Sequence, residues 1–147
     1  MALKVYLSGE IHTDWRDQIK QKSGELDLDV IFHEPVTDHE RSDDCGERIM
    51  GPEEKKFWHD QKSAKLNAMR TRRGIDISDV VIVRFGEKYR QWNAAFDAGY
   101  ASARNKSIVV IHSNENQHAL KEVDAAASAV VSDIDQAVKI LQYIIKG

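Results

Sequence analysis

One carboxylate stands out as a residue with chemistry to do. Asp97 lies in Trp92-Asn93-Ala94-Ala95-Phe96-Asp97-Ala98-Gly99-Tyr100-Ala101, between the β-branched runs Asp79-Val80-Val81-Ile82-Val83-Arg84 and Lys106-Ser107-Ile108-Val109-Val110-Ile111. That pattern predicts strand, helix, strand, with Asp97 in the first turns of the helix. Backbone N–H groups and the dipole at a helix amino terminus favour an ionised carboxylate, so Asp97 is expected to stay charged and able to act as a nucleophile at neutral pH. Tyr100 and Arg104 follow at helical spacing and are expected on the same face. An aspartate at a helix start also serves as a purely electrostatic partner of the dipole, and the sequence leaves both readings open.

Other candidates are weaker. Ser8-Gly9-Glu10 follows the first apolar run, where α/β folds bring backbone N–H groups to a phosphate or a hydroxyl-rich ligand. It has neither the G-x-G-x-x-G spacing of a dinucleotide site nor a P-loop, so NAD chemistry and ATP hydrolysis are unsupported. His33, Glu34, His39, Glu40, Asp43, Asp44 and Cys45 crowd together, but a zinc helix would need histidine at position 37, which is Thr37, and Pro35 interrupts the run. A solvated acidic loop is the expectation there, with no metal and no cofactor. Cys45, flanked only by Arg41 and Arg48, has no C-x-x-C partner, which argues against a catalytic thiolate. Trp58 is expected in a core, whereas Tyr89 and Trp92 fall near the carboxyl edge of the third strand and could stack on a planar base.

The elements that must position these groups alternate strand and helix. Strands are expected at residues 3–8, 28–32, 79–84, 107–111 and 128–131. Helices are expected around Trp15 and Ile19, from Pro52 to a Gly74 cap, and over 93–104, 119–127 and 133–146, the last capped by Ser132. Residues 33–51 lose periodicity and read as a functional loop. Alternation of this kind predicts one doubly wound α/β domain spanning residues 1–147, with helices on both faces of a parallel sheet. The 147 residues suffice for a core without staples, and 41% hydrophobic with 31% charged residues argues against disorder and membrane insertion. A net charge of −3 gives no electrostatic reason to expect nucleic acid as a partner. A single cysteine and a short, lysine-interrupted first apolar run lead to the expectation of a cytoplasmic protein.

Val5-Tyr6-Leu7-Ser8-Gly9, Ser78-Asp79-Val80-Val81-Ile82-Val83 and Phe96-Asp97-Ala98-Gly99-Tyr100-Ala101, in that order, resemble the nucleoside 2-deoxyribosyltransferase superfamily, and the whole chain is most similar to its bacterial YtoQ-like branch. The resemblance implies a flavodoxin-like, three-layer fold with a five-stranded parallel sheet, and a homodimer or larger assembly. It implies a carboxylate that attacks the anomeric carbon of a deoxyribosyl group, as retaining glycosidases do. Carried over, Asp97 takes the nucleophile position and Tyr6 that of the tyrosine orienting it, with Asp79 as structural support. Gly9 falls in the loop near the sugar or phosphate, and Glu10, Asn67, Tyr89, Gln91, Trp92, Asn93, Ser113 and Asn114 are further candidate substrate contacts. The superfamily nucleophile is normally glutamate, one methylene longer, and the assisting aspartate position falls nearest Asn67. The implied partner is a small nucleoside or nucleotide. A rival reading keeps the pocket without the chemistry, as a binding module using Gly9, Tyr89 and Trp92.

Overall fold

A computed structural model describes all 147 residues. The chain runs β1 (Leu3–Gly9), α1 (Trp15–Glu25), β2 (Val30–His33), α2 (His39–Met50), α3 (Lys56–Asp76), β3 (Val80–Arg84), α4 (Trp92–Ala103), β4 (Ser107–Ile111), α5 (Lys121–Ala126), β5 (Ala129–Val131) and α6 (Ile134–Lys146), with a short 3-10 turn at Asn114–Asn116. The five strands form one sheet in the order β2-β1-β3-β4-β5, and every pairing is parallel. The expected doubly wound α/β architecture is present.

Strand alternation builds two cores and aims the site. Val5, Leu7, Val80, Ile82, Val109 and Ile111 face α1 and α6, packing with Trp15, Ile19, Val138 and Leu141. The residues between them, Tyr6, Val81, Val83, Ile108 and Val110, face α3 and α4, packing with Ile75, Ala94, Ala98 and Ala101. Period-two alternation therefore also puts Ser8 on the α3/α4 side, two residues beyond Tyr6. Small side chains on α4 let that helix lie close on the sheet beside it. The chain leaves β1 for β2 on one side and β3 on the other, so the carboxyl ends of β1 and β3, in register at Gly9 and Arg84, mark the crevice position at which such sheets bind ligands.

Four expectations about helices are corrected. Residues 33–51 are not a loop: α2 occupies most of the segment, capped by Asp38, whose carboxylate accepts from the Arg41 N–H at 3.1 Å. Its hydrogen-bonded contacts with α3 are polar and its apolar face is short, which is why little apolar periodicity marks it. Asn67 donates to the Ser42 carbonyl at 3.0 Å and hydroxyl at 3.1 Å, and Ser63 accepts from the Gly46 N–H at 3.0 Å. A Cβ on Gly46 would lie 2.5 Å from Lys62 Cβ, so glycine sets the approach of the two helices. The following helix starts at Lys56 rather than Pro52 and continues through Gly74 to Asp76, because Gly74 serves contact with the Tyr6 ring instead of a cap. Trp58 is half exposed beside Phe57 in the first turn of α3 rather than in a core, its ring meeting the edge of another exposed aromatic. At α6 the cap is Asp133, accepting from Gln136 N–H at 2.8 Å, while Ser132 bonds the Gln136 side chain.

Candidate active site

At the crevice, Ser8 Oγ donates to Asp97 Oδ2 at 2.6 Å, joining the end of β1 to α4. Asp97 is the sixth residue of α4, past the first turn, where the dipole has faded. Burial against the sheet therefore prevails. It pushes the Asp97 carboxyl up to about 6, against the pull of the Ser8 hydrogen bond and the Arg16 charge. The expectation of a freely ionised aspartate is corrected in direction, although the carboxylate form still predominates at neutral pH.

The positive charge comes from a residue that sequence reasoning did not single out. Arg16, on α1 and 5% exposed, donates to the carbonyls of Glu10 at 2.7 Å, Gly9 at 3.1 Å and Leu7 at 3.3 Å, and its guanidinium lies 4.6 Å from the Trp15 ring centroid. Burial holds its own pKa below the usual value, but it remains a cation pinned under the end of β1. No local motif announces it, because its partners are main-chain carbonyls. Ser8 was more legible, since alternation from Tyr6 places it on the same face.

Tyr6 does not hydrogen-bond Asp97. Its ring is drawn beneath α3 at Gly74, where a Cβ would sit 2.5 Å from Tyr6 Cε2, and its hydroxyl meets Thr71 Oγ1 at 3.4 Å. The phenol is 1% exposed, and burial raises it to about 12, the Thr71 hydrogen bond opposing. The hydroxyl oriented on Asp97 is thus Ser8's. Asp97 also shares no partner with Tyr100 and Arg104, which both turn to Asp76, at 3.0 and 2.9 Å. Asp79 lies at the opposite edge of the sheet, accepting from the Lys4 N–H at 2.9 Å.

Glu10 is enclosed rather than open to a ligand. Its carboxylate accepts from the N–H groups of His12 at 2.6 Å and Thr13 at 3.1 Å, from the Thr13 hydroxyl, and from Arg84 at 2.6 Å. Burial works to raise its pKa, but these donors outweigh burial and hold it below the usual carboxylate value. Gly9 has φ +126°, and a Cβ there would fall 2.1 Å from the Arg84 carbonyl oxygen, so no larger residue fits between β1 and β3.

Over this floor the β1–α1 turn, the start of α2 and the β3–α4 loop converge through aromatic rings. His12 lies 4.8 Å from Tyr89 and 5.8 Å from His39, centroid to centroid. Tyr89 is 73% exposed with φ +61°, a left-handed conformation costly for a bulky residue. Gln91 stabilises it, donating to the Lys88 and Tyr89 carbonyls at 2.6 and 3.0 Å and accepting from Gly86 N–H at 3.1 Å, so its amide is fully engaged. Trp92, 74% exposed, and exposed Asn93 open α4. Beyond β4, the Ser113 hydroxyl is buried without a hydrogen-bond partner, next to exposed Asn114. The neighbouring His112 contacts both Asp124 oxygens at 2.8 and 3.0 Å. Asn67 stands apart, bound to Ser42 on α2. No cluster of three His, Cys, Asp or Glu residues has the arrangement of a metal site. No helix is long and apolar enough to cross a membrane.

Known proteins resemble this chain in family and in fold. A family model described as nucleoside 2-deoxyribosyltransferase YtoQ matches residues 6–145. The uncharacterized protein YtoQ of Bacillus subtilis (strain 168) is 42% identical over 144 residues, covering 98% of this chain and 97% of that protein. The crystal structure of a conserved protein from Enterococcus faecalis V583 superposes with a TM-score of 0.63 over 99% of this chain and 100% of the other, at 12% identity, a likeness of fold alone.

Proposed function

Because this chain belongs to the nucleoside 2-deoxyribosyltransferase YtoQ family, we propose that it breaks the N-glycosidic bond of a nucleoside or nucleotide with Asp97 as the nucleophile. The observation that carries this reading is the Ser8–Asp97 contact of 2.6 Å at the crevice between β1 and β3. In the first step an Asp97 oxygen bonds to the anomeric carbon as the carbon–nitrogen bond breaks, and the base departs with the bonding electron pair and takes up a proton. In the second, water or another base attacks the same carbon, releases the Asp97 carboxylate and loses a proton. Ser8 fixes the attacking carboxylate, and its hydrogen bond, helped by the buried Arg16 charge, opposes the upward pull of burial so that the carboxylate form predominates at neutral pH. Tyr89 and Trp92 offer exposed aromatic faces to the base.

Incubation with a panel of 2′-deoxynucleosides and their monophosphates, with and without an acceptor base, tests the proposal. Base release is expected from the native protein and is lost in Asp97→Asn. Release that survives the substitution removes Asp97 from the mechanism.

A second reading, binding without turnover, draws on one observation. No carboxylate adjoins Asp97 to protonate the leaving base: Glu10 is held by Arg84, Glu34 pairs with Lys20 at 2.7 Å, and Asp44 lies 3.3 Å from His59. Nucleoside-induced thermal stabilisation with no base released would favour it. Self-association is also part of our reading, through the exposed Phe57–Trp58 pair at the tip of α3, and light scattering tests it.

A further inference from the structure

An open cavity of ≈ 520 Å³ lies between α2 and α3, and Asp97 does not line it. Its walls are Val36, Cys45, Ile49, Leu66 and Met69 on the apolar side, with Asn67 and four arginines, Arg41, Arg48, Arg70 and Arg73. No aspartate or glutamate lines it, and none of the four guanidiniums forms an ion pair anywhere in the molecule. Four of the nine arginines in a chain of net charge −3 are thus gathered, unneutralised, round one hollow.

Helix electrostatics explain only part of this. Arg48 and Arg73 sit in the last turns of α2 and α3, where a cation suits the dipole. Arg41 is the third residue of α2, where the dipole disfavours a cation, and four like charges round one hollow raise its positive potential. A cluster with that electrostatic cost is what a multiply charged anion would relieve. Guanidinium groups bind phosphate through paired, charge-assisted hydrogen bonds, and four of them exceed what one phosphate can engage in such pairs. The volume falls in the range of small-molecule sites, and the apolar wall accommodates an organic moiety beside the charged end.

We infer that this cavity is a binding site for a small molecule carrying two or three linked phosphates, separate from Asp97. Arg70 and Arg73 of α3 line the cavity, while Thr71 and Gly74 of the same helix meet Tyr6. The inference does not depend on the glycosidic chemistry proposed above.

Thermal unfolding with inorganic pyrophosphate, and separately with adenosine diphosphate, tests it on the native protein, Asp97→Asn, Arg41→Gln and the double variant Arg48→Gln/Arg73→Gln. The exposed positions of Arg41, Arg48 and Arg73 leave the fold intact on substitution, which the unliganded melting temperatures and circular dichroism verify. Both ligands are expected to raise the native melting temperature by roughly 5–10 °C at about 100 times Kd, and less at high salt. Arg41→Gln weakens binding about tenfold and the double variant about a hundredfold or more, while Asp97→Asn binds unchanged. No stabilisation by either ligand overturns the inference, as does stabilisation retained in the double variant or lost in Asp97→Asn. Equal stabilisation by polyglutamate at matched charge would also overturn it, assigning the cavity to an acidic protein partner.

Discussion

Replacing Asp97 by asparagine should stabilise this protein at alkaline pH while abolishing its proposed chemistry. Burial raises the Asp97 carboxyl from 3.8 to about 6, so the folded state holds its proton over a pH range in which the unfolded chain has already released it. Stability therefore falls as pH rises from about 4 through about 6, and the cost is complete above that window. At about 1.4 kcal/mol per pKa unit the two-unit rise corresponds to about 3 kcal/mol, and solvent screening of a half-buried side chain reduces it to about 1–3 kcal/mol. Asparagine keeps an oxygen to accept from Ser8 and carries no charge. Asp97→Asn should thus melt about 3–10 °C higher than the native protein at pH 8 and at the same temperature at pH 4. Scanning calorimetry of both proteins from pH 4 to 8 measures the difference directly. A gap independent of pH, or an asparagine variant less stable at pH 8, refutes the burial argument.

The same titration governs activity, and kcat/KM for base release should fall as pH drops below about 6, because only the carboxylate attacks. Ser8→Ala removes a hydrogen bond that favours the charged form, so its acid limb should move to higher pH in a pH–rate profile. Tyr6→Phe loses only a 3.4 Å bond to Thr71, and kcat should change less than about threefold with stability within about 1 kcal/mol; a loss of a hundredfold would return the orienting role to Tyr6. Glu10→Gln leaves Arg84 without its partner and weakens the turn to Thr13, which should cost roughly 3 kcal/mol and about 10 °C in melting temperature near neutral pH. That deficit should shrink as pH falls through the low Glu10 pKa, which differential scanning at pH 3 and pH 7 would reveal.

The β-branched runs ending at Arg84 and Ile111 announced buried parallel strands, and the small residues of α4 announced a helix lying close on them, so the fold and the edge carrying Asp97 could be read in the chain. α2 was hidden because its hydrogen-bonded contacts with α3 use serine, asparagine and glycine and its apolar face is short, with Cys45 and Ile49 among polar residues, although Asp38 three residues before Arg41 is a readable cap. The Asp97 environment was hidden for a different reason. Dipole arguments use position along a helix, whereas the carboxyl responds to burial and to Arg16, a residue 81 positions earlier in the sequence. Tyr6 and Ser8 differ by two residues on one face, and only the packing of α3 at Gly74 decides which hydroxyl reaches Asp97.

Intact-protein and peptide mass spectrometry after brief acid quench of a reaction with a 2′-deoxynucleoside tests the nucleophile most directly. The account predicts a mass increment of one deoxyribosyl group on the tryptic peptide spanning residues 91–104, absent in Asp97→Asn. Turnover with no adduct under single-turnover trapping, or an adduct on any other peptide, would contradict it.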